Sequence, residues 1–175
     1  RYEAKLRACA EATEGLLLFY NEEPIEACFH ASSRGSTESS EAVWGNALPY
    51  LVAVSSPESC ESVPKLMSAV SFGTEELAAA LGADSSAEPV GECVRDEAGR
   101  VETIELLGRE CGGRELRELL GLRSTDFTVE YGDGQFRFTV YGYGHGVGMS
   151  QYGAKLMAEQ GSGFREILAH YYPGT

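Results

Sequence analysis

Two blocks of this chain hold the residues best suited to chemistry. One is Tyr141–Thr175, YGYGHGVGMSQYGAKLMAEQGSGFREILAHYYPGT, in which Gly142, Gly144, Gly146, Gly148 and Gly153 surround His145, Ser150, Gln151 and Tyr152. Glycine admits positive φ and lets the backbone come close to another group. His145 therefore reads as a side chain held at the mouth of a glycine loop. Ser150 reads as the N-cap of a helix from about Gln151 to Gln160, stopped by Gly161. An imidazole, a hydroxyl and an amide beside a helix N-terminus suit the holding of a polar ligand. The plainer alternative is a glycine-rich turn with a satisfied histidine. The other block is Phe29–Gly45, FHASSRGSTESSEAVWG, with His30, Ser32, Ser33, Glu38, Glu41 and the only tryptophan, Trp44. An aromatic face for a sugar ring and several hydrogen-bonding side chains are what a carbohydrate site needs. Composition alone favours a polar surface loop with Trp44 in the core.

The elements that position these blocks follow from periodicity. Arg1–Thr13 places Leu6, Cys9, Ala10 and Thr13 on one helical face and ends at Gly15. Leu16–Tyr20 and Ile25–Ala31 flank a turn at Asn21–Pro24 and read as a β-hairpin. Leu66–Phe72 reads as a strand, and Thr74 as the cap of a helix through Leu81, with Glu75 and Glu76 near its positive end. Glu92–Arg95 and Arg100–Leu106 flank the turn Asp96–Gly99. Arg114–Leu120 is a short helix, and Phe127–Tyr131 and Gln135–Tyr141 are strands joined by Gly-Asp-Gly. This order, with no regular βα alternation, predicts a mixed α+β fold of hairpin-rich sheets and short peripheral helices. It is read as a single domain over 1–175, with a middle layer at about 59–122 whose scattered acids read as solvated faces.

The charge balance excludes some partners. A formal net charge of −13 makes nucleic acid an unsuitable partner, because that binding runs on lysine and arginine meeting phosphate. No apolar run approaches the roughly 20 residues of a membrane span, and no P-loop, GxSxG or HExxH motif is present. The five cysteines, Cys9, Cys28, Cys60, Cys93 and Cys111, form no CxxC pair, and the three histidines are spread out. Their spacing argues against a metal site in this chain. Arg1 is not a natural start, so the chain is expected to be a piece of a longer protein, with any membrane anchor upstream.

The two blocks together resemble the stage II sporulation protein D family, also called the sporulation D/LytB domain, in its C-terminal portion. Family members carry a His, a serine-rich run with glycine, Thr-Glu, then Glu-x-x-Trp-Gly. Here these are His30, Ser32, Ser33, Gly35, Thr37, Glu38, Glu41, Trp44 and Gly45. Arg34 departs from the pattern, where glycine is frequent. Pro49–Pro57 matches the family's continuation, and the glycine block matches its C-terminal signature almost residue for residue. The resemblance covers Arg1–Pro57 and Leu116–Thr175 well and the middle loosely.

This resemblance implies a peptidoglycan lytic transglycosylase. Such an enzyme cleaves MurNAc–GlcNAc bonds in peptide-free glycan strands to 1,6-anhydro-MurNAc ends, here during forespore engulfment. One glutamic acid with a raised pKa can act first as acid and then as base. The family's catalytic glutamate lies in a motif expected upstream of Arg1, as does a zinc site reported in some members, so no cofactor is expected within this chain. Glu38 and Glu41 are the only local carboxyls considered as stand-ins. His30, Ser32, Ser33, Glu38, Glu41, Trp44, His145, Ser150, Gln151 and Tyr152 are expected to bind substrate. The implied partners are glycan strands, a cell-wall amidase or endopeptidase and a membrane protein of an engulfment complex. The implied location is extracytoplasmic, at the septal membrane through an upstream anchor. A non-catalytic amidase enhancer or a wall-binding module is the alternative.

Overall fold

The structure is a computed structural model and describes residues 2–175. Its backbone is built on two three-stranded antiparallel sheets. In the first, β9 (Gln135–Tyr141) lies between β4 (Met67–Gly73) and β8 (Phe127–Gly132). In the second, β6 (Val101–Leu106) lies between β5 (Val90–Arg95) and β7 (Arg109–Gly112). The period-two burial of β9 turns Phe136, Phe138 and Val140 inward. There they join Phe127 of β8 and Val101, Ile104 and Leu106 of β6 in one core. Leu77 and Leu81 of α3 (Thr74–Leu81) and Leu116 of α4 (Gly113–Leu120) cover it. The stretch 59–122 thus supplies one strand to the sheet of β8 and β9 and shares their core. Together with the remaining short helices, this is the α+β architecture that the element order predicts.

A second core lies under the two chemical blocks. Tyr50, Leu51 and Val147 pack there with Ile167, Tyr171 and Tyr172. Helices α5 (Gln151–Glu159) and α6 (Phe164–Tyr171) close this core. Ser150 caps α5 as its type predicts, its hydroxyl oxygen accepting the Gly153 N–H at 3.3 Å.

Local departures from the sequence reading have physical causes. Helix α1 (Tyr2–Ala12) forms, but none of its residues is buried, so its apolar face packs on no core element. The first hairpin shrinks to β1 (Phe19–Tyr20) and β2 (Glu23–Pro24), turned at Asn21 and Glu22 with positive φ. Pro24 has no N–H to continue the ladder. Of the expected strand Ile25–Ala31, only β3 (Phe29–His30) forms, and it pairs in parallel with β10 (Met149–Ser150) rather than with β1. Thr74 is not the cap of α3. Its hydroxyl turns to the Gly134 carbonyl at 3.0 Å, and Glu76 reaches back to the Gly73 N–H at 3.3 Å instead.

Candidate functional site

The parallel pairing of β3 with β10 joins the two blocks, with Phe29 opposite Met149 and His30 opposite Ser150. Bridges from Ser32 to Tyr143 and from Glu38 to Val147 extend the contact on both sides. Glycine makes this approach possible. Gly148 has φ +71, and a Cβ there would stand 2.0 Å from the Cys28 carbonyl oxygen. At Gly146, φ +86, a Cβ would stand 2.8 Å from the Arg100 guanidinium. The Gly142 and Gly144 N–H groups donate to the protein's own Leu66 and Arg123 carbonyls. What the loop approaches closely is the 28–33 segment and Arg100.

Beneath this junction runs a buried polar chain. Ser33 Oγ accepts from Arg100 Nη2 at 3.1 Å and lies 2.6 Å from His30 Nε2. With the serine oxygen accepting from arginine, its own proton goes to Nε2. His30 Nδ1–H is then the donor to the Val147 carbonyl at 3.3 Å. That pattern suits a neutral imidazole. Burial lowers the His30 pKa to about 4, with the Val147 carbonyl opposing and Arg100 and His145 adding to the fall. The Ser33 N–H donates to Glu58 Oε1 at 3.0 Å, and the Ser150 hydroxyl donates to the same oxygen. Glu58 therefore ties both blocks together from below.

Above this chain opens a cleft of about 350 Å³. Glu38, Trp44 and His145 line it, together with Asp96, Arg117 and Glu118. Trp44 is 44% exposed, at the cleft rather than in the core, with its ring centroid 5.3 Å from that of His145. His145 is half-buried. Its Nδ1 accepts from the Val147 N–H at 3.1 Å, so in the neutral ring the proton is on Nε2. Burial lowers its pKa, opposed by a backbone contact with Phe29 and helped by Arg117 and Arg100.

Glu38 is the unusual group. It is 3% exposed, and its Oε1 accepts the Ser39 N–H at 3.0 Å. Its Oε2 is buried without a hydrogen bond. Arg100 Nε lies 3.4 Å from Oε2, close enough for an ion pair but not aligned as a hydrogen bond. Burial and the neighbouring Asp96 carboxyl outweigh the guanidinium and raise the Glu38 pKa to about 7. A carboxyl in that state can donate a hydrogen bond, or exchange a proton, near neutral pH.

The other expected site residues take different places. Ser32 is buried under Tyr143, and Ser150 is buried against Glu58. Glu41, on α2 (Ser40–Trp44), and Gln151 are exposed and Tyr152 is half-buried, and none of the three side chains is part of the cleft lining. Arg34, the departure from the family pattern, forks onto Asp126 at 2.8 and 3.1 Å and lies 3.8 Å over the Tyr141 ring. Sequence reasoning missed Asp96, Arg100 and Arg117. Asp96 read only as a turn residue, and nothing in its neighbours marks it as facing Glu38. Among the described residues no three His, Cys, Asp or Glu side chains gather as a metal would require. The five cysteines are free thiols, and only Cys111 is buried. No helix among the described residues is long and apolar enough to cross a membrane.

Fold and site define an α+β domain with an acidic, aromatic-walled cleft at the seam of two glycine- and hydroxyl-rich blocks. The chain belongs to the stage II sporulation protein D family. It is 42% identical to stage II sporulation protein D of Bacillus amyloliquefaciens over 98% of this chain and 50% of that protein. The Bacillus subtilis counterpart is 41% identical over 99% of this chain and 52% of that protein. An amidase enhancer of Bacillus subtilis is 27% identical over 99% of this chain and 32% of that protein. The chain spans about half the length of the stage II sporulation protein D relatives it matches. No family model matches it.

Proposed function

We propose that this domain serves cell-wall remodelling in sporulation as the glycan-gripping part of a lytic transglycosylase. In this reading it acts on MurNAc–GlcNAc bonds of peptide-free peptidoglycan strands and leaves 1,6-anhydro-MurNAc ends. Family membership supports the sporulation and cell-wall role. The observation that carries the finer reading is the cleft, in which Trp44 and His145 stand beside a carboxyl whose pKa is raised to about 7. The indole supplies a face for a sugar ring. His145 and protonated Glu38 supply donors to its oxygens. In this reading the main acid and base is a glutamate outside these residues, as the family resemblance implies. Glu38 lends a proton donor to the substrate rather than breaking the bond. The protein would act outside the cytoplasm, with an amidase that strips the strands. Incubation of the full-length protein with purified peptide-free strands tests this: anhydro-ended products are expected, and their absence with glycan binding intact would leave the non-catalytic readings, an amidase enhancer or a wall-binding module.

The similarity to an amidase enhancer supports a second reading, in which the same cleft grips glycan without cutting it and aids an amidase. Stimulation of amidase release by a protein that yields no anhydro ends would favour it.

A further inference from the structure

The cleft holds one unattached cation. Of its arginines, Arg114 is held by Glu118 at 3.3 Å and donates to the Val43 carbonyl at 3.2 Å. Arg100, behind the cleft, is engaged by Ser33 and Glu38. Arg117 also lines the cleft, one turn along α4 from Arg114, and is half-buried. Its guanidinium makes no ion pair or side-chain hydrogen bond among the described residues. Its charge is felt at His145, which places it near the Trp44–His145 wall. The other charged groups of the lining, Glu38, Asp96, Glu102 and Glu118, are acids. An anionic group entering this cleft meets repulsion from Asp96, Glu102 and Glu118, and its best attraction at Arg117, the guanidinium that no carboxylate among the described residues already holds.

Resting on the glycan reading above, we infer that Arg117 recognises the free lactyl carboxylate of muramic acid and makes the domain selective for strands without stem peptides. The chemistry is discriminating. In a peptide-free strand the lactyl group ends in a carboxylate, whereas in a peptide-bearing strand that carbon is an amide with no charge. A guanidinium matches a carboxylate with two parallel N–H donors. An amide offers it one neutral carbonyl oxygen, with neither the charge nor the second acceptor of a carboxylate. The surrounding acids sharpen the choice, because they leave the carboxylate a single place to settle.

The test uses the full-length protein and two ligands of equal length, peptide-free MurNAc–GlcNAc oligosaccharide and chitin oligosaccharide, which lacks the lactyl group. Wild-type protein is expected to prefer the first by about tenfold or more, as a charge-assisted hydrogen bond allows, and to lose part of that preference in added salt. Arg117→Gln is expected to bring the ratio near one while chitin affinity and melting temperature hold, and Arg117→Lys to keep part of it. A ratio unchanged in Arg117→Gln overturns the inference alone. So does an equal loss for both ligands together with a lower melting temperature. Wild-type protein that binds neither ligand overturns the glycan reading, and this inference falls with it.

Discussion

Glu38 and His30 sit on the same buried chain, and their environments push them in one direction, toward the neutral form. For Glu38 this sets a sharp test of role. Glutamine keeps a donor at that place but cannot transfer a proton. At pH 6, where Glu38 is already mostly protonated, Glu38→Gln should retain turnover within about threefold, and Glu38→Ala should lose about tenfold, the worth of one hydrogen bond near a charged or buried group. Turnover abolished in Glu38→Gln with binding intact would make Glu38 itself the acid. His145 is tested similarly. It stacks near Trp44 at a half-exposed wall and sits in neither core. His145→Ala should therefore weaken glycan binding while changing stability by less than about 1 kcal/mol. A variant that melts far lower, with binding per folded molecule unchanged, would make His145 structural. At this scale the sequence was only partly legible. His30, Glu38, Trp44 and His145 stand out by residue type and by resemblance to a family motif. Asp96, Arg100 and Arg117 do not, because a turn, the residue before a strand and an ordinary helix position carry no local sign of what they face across the fold.

Elements show the same division between local and non-local signals. Strands β6, β8 and β9, the turn at Asp96–Gly99 and the Ser150 cap were readable because turn residues and alternating burial are local. Helix α6 and strand β7 were not. Gly163 and Glu166 mark the start of α6, with the Glu166 carboxylate 2.7 Å from the Gly163 N–H, but glycine is the weaker cap. Strand β7 is short and takes its place only because β6 offers it an edge. The parallel pairing of β3 and β10 joins residues more than a hundred positions apart, and no period within either segment announces it. That pairing depends on Gly148, where an added Cβ would meet backbone as well as take a positive φ. Gly148→Ala is expected to cost at least about 2 kcal/mol. Leu6→Ser, on a helix with no buried residue, is expected to stay within about 0.5 kcal/mol. Chemical denaturation of both variants checks the contrast. A silent Gly148→Ala would mean that the seam is loose and the cleft is not fixed by it.

For the whole molecule, the two buried groups make stability depend on pH in opposite directions. Glu38 has a folded pKa of about 7 against 4.5 for the free group, so between those values the folded state binds the extra proton and stability falls as pH rises. His30 has a folded pKa of about 4 against 6.5, so there the unfolded state binds the extra proton and stability rises with pH. The two windows overlap from about pH 4.5 to 6.5, where the slopes oppose one another and the wild-type protein shows little net effect from this pair. Removing one member exposes the other. Glu38→Gln should gain stability relative to wild type as pH climbs from 4.5 to 7, by up to about 1.4 kcal/mol per pH unit. Any constant loss from leaving Arg100 without its carboxylate appears as an offset and not as a slope. Denaturation midpoints measured at half-unit steps separate the two. Parallel curves for wild type and variant across that range would mean that Glu38 titrates normally, and the cleft would then hold no carboxyl poised near neutrality.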